Sequence, residues 1–160
     1  MRKRSSYRPK GIRADANDWV IGGMQPVTNA RQAITDLRLK NHIALECLRT
    51  GVATPHDINM LVRASNMALA LEVLGLGKAW KVELEASADA LLDVARRGVA
   101  LGGHFILRGP ELTAINLGMS VHDVQLDAAA VFQFEAALRM ERKALAAKRG
   151  RFIELEECHA

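Results

Sequence analysis

The chain has 160 residues, 49% of them hydrophobic and 25% charged, a balance typical of one soluble globular domain and not of a disordered chain. Its longest run without a charged side chain, residues 19–30, has 12 residues and contains Pro26, so no membrane span is expected. The net charge of +4 is concentrated at the ends, since residues 1–13 carry six basic and no acidic side chains, whereas residues 14–138 carry 10 basic and 14 acidic ones.

The first 13 residues predict a flexible basic arm. They contain Pro9 and Gly11 and have too little apolar surface to offset the entropy of ordering them. No apolar segment follows directly, so no secretory signal is expected. Arginine forms bidentate contacts with phosphate and tyrosine stacks on bases, which makes this arm the predicted nucleic-acid-binding site. Its residues are Arg2, Lys3, Arg4, Tyr7, Arg8, Lys10 and Arg13.

An acidic protein surface is the alternative partner for the arm, and a tail that only aids solubility is the other interpretation. Residues 14–150 are predicted to form a helical bundle, and residues 151–160 an acidic C-terminal tail. The few aromatic residues and the abundance of alanine and leucine favour helices over sheets.

The first predicted helix is short and begins after Asp15 or Asn17. Its apolar members are Trp19, Val20 and Met24, and the breakers Gly22-Gly23 and Pro26 end it. A second helix, capped by Thr28, extends to about Thr50. Its apolar stripe also includes one asparagine; the members are Ile34, Leu37, Asn41, Leu45 and Leu48.

The third helix has a clear start signal in Thr54-Pro55-His56-Asp57, with a threonine cap and an aspartate that bonds back to it. Its buried face is expected to reach Val73 and Leu74 before Gly75. The fourth helix, Lys78 to about Val99, has apolar residues at steps of three or four. They are Trp80, Leu84, Ala88, Leu91 and Ala95. A packed loop is expected over His104–Leu107.

Pro110 and Glu111 predict the start of one long helix that continues to Gly150, weakened by about 1 kcal/mol at Gly118 relative to alanine. Forty helical residues would span roughly 60 Å, about twice the width of a small domain. Its basic last third is therefore expected to project from the bundle or to pair with a second copy in a homodimer. The apolar side is expected to include His122, Phe132 and Phe134.

This last third carries a second basic cluster, with three glutamates after it at positions 154, 156 and 157 that can pair with it. Positive charge is also expected near a helix C-terminus from the helix dipole alone. The cluster comprises Arg139, Arg142, Lys143, Lys148, Arg149 and Arg151. The fold class predicted is all-α, an antiparallel bundle of four to five helices with a long C-terminal helix and a basic N-terminal arm.

Several strings resemble a group of small uncharacterised proteins encoded by bacteriophages, prophages and related mobile elements of proteobacteria. These strings are residues 2–11 (RKRSSYRPKG), Lys40-Asn41-His42, Ser65-Asn66 and Val121-His122-Asp123. The resemblance implies a bacterial or phage intracellular setting, and it brings no activity or site with it. Cys47 and Cys158 are too few for a disulfide scaffold, which favours two free thiols in a reducing cytoplasm.

A polar cluster is expected inside the bundle if the second and fifth helices are neighbours. Its members are Asn41, His42, Glu46, His122 and Asp123. Two imidazoles with carboxylates suit Zn²⁺ or Fe²⁺, but the repeated Glu-x-x-His of bundle metal sites is absent from the sequence. A hydrogen-bonded cluster that fixes helix register is therefore favoured over a metal site or a catalytic one.

The sequence thus predicts a non-enzymatic phage or bacterial accessory protein without a cofactor, which binds nucleic acid electrostatically through its arm. The rival hypothesis is a protein-interaction module, an inhibitor or adaptor acting on a host protein. A metal-binding helical protein is the third hypothesis.

Overall fold

Five α-helices make up the computed structural model, which describes residues 23–26 and 31–147. They are α1 (Arg31–Thr50), α2 (Pro55–Val73), α3 (Lys81–Ala100), α4 (Gly109–Ala128) and α5 (Val131–Ala147). A 3₁₀ turn, Lys78–Trp80, precedes α3. Within these residues there is no strand, only an isolated bridge between Pro26 and Ala130, so the all-α prediction is confirmed. None of these helices is both long and apolar enough to cross a bilayer.

The central helix of the bundle is α2, which packs against each of the other four helices. Every residue from 64 to 71 is buried, including the polar Ser65 and Asn66. A surface helix buries one stripe, whereas this helix is covered on all sides over two turns. The core therefore surrounds α2 and does not lie beneath it.

The start of α2 follows the local sequence signal. The Asp57 backbone N–H donates to Thr54 Oγ1 at 3.3 Å, and the Thr54 backbone N–H donates to Asp57 Oδ2 at 2.8 Å. Burial opposes ionisation of this carboxyl, but the hydrogen bonds from Thr54 outweigh burial and lower the pKa of Asp57. The predicted capping box is confirmed.

The pairing of α1 with α4 runs antiparallel. Arg38 of α1 contacts Asp127 and Asp123 of α4, and His42, one turn later on α1, contacts Asp123, which lies one turn earlier on α4 than Asp127. The residue numbers of the contacts increase along α1 while they decrease along α4, so the two helices are antiparallel. The short connection between α3 and α4 turns the chain in the same manner, with Phe105 buried against Gly98 at that turn.

The predicted long C-terminal helix is wrong, because the chain turns between α4 and α5. Ala129 is extended, with φ −71° and ψ 138°, and Gln133 Oε1 accepts a hydrogen bond from the Ala130 backbone N–H at 3.0 Å. The Val131 N–H donates to the carbonyl oxygen of Gln25 at 2.8 Å. A side chain and a distant backbone carbonyl thus replace helical hydrogen bonds, which allows the turn without proline or glycine.

After this turn α5 packs against α2, so it is part of the bundle. The basic last third was expected to project from the bundle or to pair with a second copy because a 60 Å helix would extend beyond the domain. Since this long helix is not present, that reason no longer holds. Arg139 lies 3.7 Å from Glu135 on the same helix, while Arg142 and Lys143 are exposed. The remaining members of the second basic cluster lie outside the described residues.

Three apolar residues predicted to be buried are exposed. Trp80 belongs to the 3₁₀ turn before α3, so the buried stripe of α3 begins at Leu84. Val73 is the last residue of α2, beyond the region that the other helices cover. Phe132 lies in the first turn of α5, directly after the chain reverses, and points away from the core.

Candidate functional site

The predicted nucleic-acid-binding residues of the arm lie outside the described residues, as do the predicted first helix before residue 23 and the acidic tail. The site that the structure does describe is the predicted polar cluster between α1 and α4. Its five members do not form one group. They divide into a surface ion network, a separate surface ion pair and a buried cavity.

The surface network is formed by Arg38, His42, Asp123 and Asp127. His42 Nε2 lies 2.8 Å from Asp123 Oδ2, and Arg38 Nη2 donates to Asp127 Oδ1 at 2.6 Å. The same Arg38 nitrogen donates to the backbone carbonyl oxygen of Asp123 at 2.7 Å. These contacts join α1 to α4, so the predicted proximity of His42 and Asp123 is confirmed.

Glu46 takes no part in this network. It forms a two-pronged ion pair with Arg49 in the next turn of α1, with Arg49 Nη2 2.6 Å from Glu46 Oε1 and Arg49 Nε 2.7 Å from Glu46 Oε2. The hydrogen bonds from Arg49 lower the pKa of Glu46. A partner three residues away on the same helix is easier to reach than one on another helix, which explains the difference from the prediction.

His122 and Asn41 are buried and line the same cavity, together with Glu141 from α5. This cavity lies between α1, α2, α4 and α5 and has a volume of about 170 Å³. The side chains of these three residues come from three different helices, and each residue is at most 4% exposed. Arg63 of α2 also lines the cavity, with its own side chain mostly exposed.

One polar atom of each of the three buried side chains has no hydrogen-bond partner. These atoms are Asn41 Nδ2, His122 Nδ1 and Glu141 Oε1. The closest cation to the last of them is Arg63, whose Nε lies 3.7 Å from Glu141 Oε1, which is beyond hydrogen-bond distance. In the described residues such atoms also occur at Arg38, Glu83, Ser87 and Gln125, but these do not line this cavity. The grouping of three of them around one space makes this the candidate site.

Burial disfavours the charged forms of both titratable groups of the cavity. It lowers the pKa of His122 to about 4, against the opposing influence of Gln125 and Asp123, so the imidazole is neutral near pH 7. Burial also raises the pKa of Glu141, although Arg63 acts in the opposite direction. The site is therefore a mainly apolar space whose hydrogen-bonding groups are disfavoured in their charged forms.

Metal binding receives no support from the geometry. In residues 23–26 and 31–147, no three histidine, cysteine or carboxylate side chains lie close enough together to hold an ion. The arrangement that remains is a buried space with free hydrogen-bonding atoms, which suits the binding of a molecule.

Sequence reasoning missed Glu141 and Arg63. Glu141 lies in the sequence among the basic residues of the second cluster, but it follows Phe134 and Leu138 at the helical steps that define the inner face of α5. That spacing is the signal that could have identified it. No comparable spacing identifies Arg63 in the sequence. It is an exposed arginine of α2 whose neighbours in the sequence are buried.

No family model, curated protein or solved structure matches the chain. The resemblance of the quoted strings to phage and prophage proteins therefore stays a prediction.

Proposed function

We propose that this protein is a non-enzymatic accessory protein that binds nucleic acid electrostatically through residues 1–13. The observation that carries the proposal is the separation of charge along the chain. The arm has six basic and no acidic side chains, whereas residues 31–147 have 13 of each sign. A neutral body attached to a strongly cationic arm would present its positive charge to a polyanion mainly through that arm.

The ion pairs of the body support this division of roles. Five cations of residues 31–138 lie within 4.0 Å of the protein's own carboxylates: Arg38, Arg49, Arg63, Lys81 and Arg97. Cations engaged in this manner are less available to phosphates, and the exposed ones are interspersed with acidic residues. Arg142 and Lys143 on α5 are the exposed body cations most suited to assist the arm, since they adjoin the rest of the second basic cluster in sequence.

The proposed mechanism is phosphate neutralisation with counterion release. Arginines of the arm would contact phosphates in pairs of hydrogen bonds, and Tyr7 would stack on an exposed base. Full engagement of six cations on duplex DNA gives a slope of about −5 for log affinity against log salt concentration. The proposed phage or bacterial setting rests on the resemblance of the quoted strings alone.

The test compares two full-length variants that lose the same amount of charge. One replaces the six basic residues of the arm by glutamine. The control replaces six exposed basic residues of the body outside the second basic cluster by glutamine: Arg31, Lys40, Lys78, Lys81, Arg96 and Arg108. Fluorescence anisotropy with random duplex DNA and with single-stranded RNA, at several salt concentrations, gives the affinities and the slopes.

The arm variant is expected to lose most of its affinity and most of the salt slope, while the control keeps the larger part of both. Equal losses in the two variants would show that net charge and not the arm is responsible, and would overturn the proposal. Absence of binding by the unmodified protein at low salt would also overturn it and favour the rival protein-interaction module.

A further inference from the structure

The cavity between α1, α2, α4 and α5 has a size and a composition that suit a small organic molecule. Its volume of about 170 Å³ is comparable with that of engineered protein cavities, of about 150 Å³, that bind benzene. Apolar side chains form most of the wall: Leu37, Met60, Ala64, Met67, Phe134 and Leu138. The two methionines are flexible and polarizable, so this wall can adjust to the shape of an occupant.

The three polar side chains are costly to the protein without an occupant. A buried polar group without a partner costs about 1–3 kcal/mol; Asn41 and His122 each have one such atom, and Glu141 Oε1 has only Arg63, at 3.7 Å. Leucine or methionine at these positions would fill the same space without that cost. Three such groups from three helices around one space are the arrangement of a binding site, in which a ligand supplies the missing hydrogen bonds.

The charge of the occupant follows from the groups that it meets. Neutral His122 and the raised pKa of Glu141 show that the cavity disfavours charge on its own side chains. A charged ligand would need a full counter-charge in this space, and Arg63 is mostly exposed at its edge. An uncharged ligand fits better.

The hydrogen-bonding pattern of the occupant follows from the free atoms. Asn41 Nδ2 is a donor and requires an acceptor on the ligand. The nitrogen of a neutral imidazole accepts or donates, and the free carboxyl oxygen of Glu141 accepts, so both can pair with a ligand donor beside that acceptor. A primary amide attached to an aromatic ring carries an acceptor, its carbonyl oxygen, next to a donor, its NH₂ group.

We propose that this cavity binds an uncharged single-ring molecule whose edge carries a hydrogen-bond acceptor next to a donor, with Asn41, His122 and Glu141 as its polar contacts. Benzamide is the probe of this class. The cavity approaches the surface at the mostly exposed side chain of Arg63, which marks the entry. This site contains no residue of the arm, so a failure of the nucleic-acid proposal would leave this one unaffected, and the reverse also holds.

Methionine methyl signals in NMR spectra of the full-length protein provide a local readout. Met60 and Met67 line the cavity, whereas Met119 is buried elsewhere in the core and serves as the internal control. Benzamide is titrated beside three probes of similar size: toluene, which has no polar group, benzoate, which is an anion, and benzylamine, which is a cation at neutral pH. We expect benzamide to shift the signals of Met60 and Met67 at the lowest concentration and to leave Met119 unchanged.

The decisive variant is Asn41→Leu, which replaces an unpartnered buried amide by an apolar group of similar size and is expected to fold. It should weaken benzamide binding about tenfold, a loss of about 1.4 kcal/mol, and leave toluene binding unchanged or stronger. The matched control is Asn116→Leu, the same replacement at an exposed position of α4, which should change neither. Ala64→Leu fills the cavity and should abolish the binding of every probe.

Three outcomes would overturn the proposal. Binding of benzylamine or benzoate more tightly than benzamide would show that the site prefers charge. Equal binding of toluene and benzamide, unaffected by Asn41→Leu, would show an apolar void without recognition. No shift of Met60 or Met67 with any probe would show that the cavity holds water only.

Discussion

Gly118 of α4 lies against Ser87 of α3 with no room for a side chain between them. A Cβ built on Gly118 would overlap both Oγ and Cβ of Ser87. The missing side chain therefore allows the two helices to approach closely. In the sequence this glycine predicts only a weaker helix, and the structure gives the packing reason for its presence.

Gly118→Ala is expected to destabilise the protein by about 1–3 kcal/mol, because overlap with Ser87 outweighs the gain of about 1 kcal/mol in helix propensity. Urea unfolding followed by circular dichroism measures the change. Gly109→Ala is the control, since Gly109 is the first residue of the same helix and a Cβ there meets nothing within 4 Å. Adding Ser87→Gly to Gly118→Ala should recover part of the loss. A Gly118→Ala protein as stable as the unmodified one would contradict the packing argument.

The buried imidazole of His122 is expected to make the fold sensitive to acid. Its pKa of about 4 in the folded protein lies below the 6.5 of an exposed histidine, so the unfolded chain takes up the proton first as the pH falls. Stability from this group is complete above pH 6.5 and is lost between pH 6.5 and 4, by about 3 kcal/mol over the interval. Gln125 and Asp123 act to raise the pKa of His122 and Arg38 acts to lower it, but burial has the largest influence.

The measurement is the free energy of unfolding against pH for the unmodified protein and for His122→Leu. The difference between the two curves should change by about 3 kcal/mol across the interval, since Glu141 and the other carboxyls titrate in both proteins. Asn116→Leu, at an exposed position of the same helix, is the control and should leave the shape of the curve unchanged. Parallel curves for the first pair would show that His122 is not the group responsible.

The ion pair between Arg97 of α3 and Glu111 of α4 is expected to fix the turn between these helices. Arg97 Nη2 lies 2.6 Å from Glu111 Oε2, the two side chains are 20% and 13% exposed, and Arg97 also donates to the carbonyl oxygen of Ile106. Burial alone would raise the pKa of Glu111, but the hydrogen bonds from Arg97 and the Arg108 backbone lower it. The contribution of this carboxylate is therefore lost as the pH falls below about 4.5.

Arg97→Met should destabilise the protein by about 2 kcal/mol near pH 7, because it leaves Glu111 largely buried without its cation. Arg49→Met breaks an exposed pair of similar geometry and should have little effect, which makes it the matched control. Adding Glu111→Gln to Arg97→Met should restore part of the lost stability. Equal effects of Arg97→Met and Arg49→Met in urea unfolding would refute the distinction between the two pairs.

Local signals in the sequence predicted those parts of the fold that depend on neighbouring residues. The capping box of Thr54 and Asp57 needs only four consecutive residues, and the buried stripe of α3 from Leu84 needs only helical spacing. The turn after Ala129 depends instead on the carbonyl oxygen of Gln25, which lies more than one hundred residues away in the sequence. Nothing near Ala129 marks that partner, so a continuous helix was the expected result.

The candidate site could be predicted from the sequence only in part, because some of its residues carry a local signal and others depend on distant parts of the chain. Asn41 and His122 each lie on an apolar stripe, so their meeting inside the bundle follows from the packing of α1 on α4. Glu141 escaped notice because the incorrectly extended helix placed its whole region outside the bundle. Only the fold that returns α5 to α2 brings this glutamate to the other two.

The enclosure of α2 also limits how this protein can change over evolutionary time. Residues 64–71 are all buried among the other helices, and apart from Ala64 and Met67, which line the cavity, nearly every substitution there disturbs a neighbouring helix. Variation that alters recognition must accumulate on the outer helices and the chain ends. The amide hydrogens of this segment should accordingly be the last to exchange with solvent, and their rate should report the opening of the whole bundle.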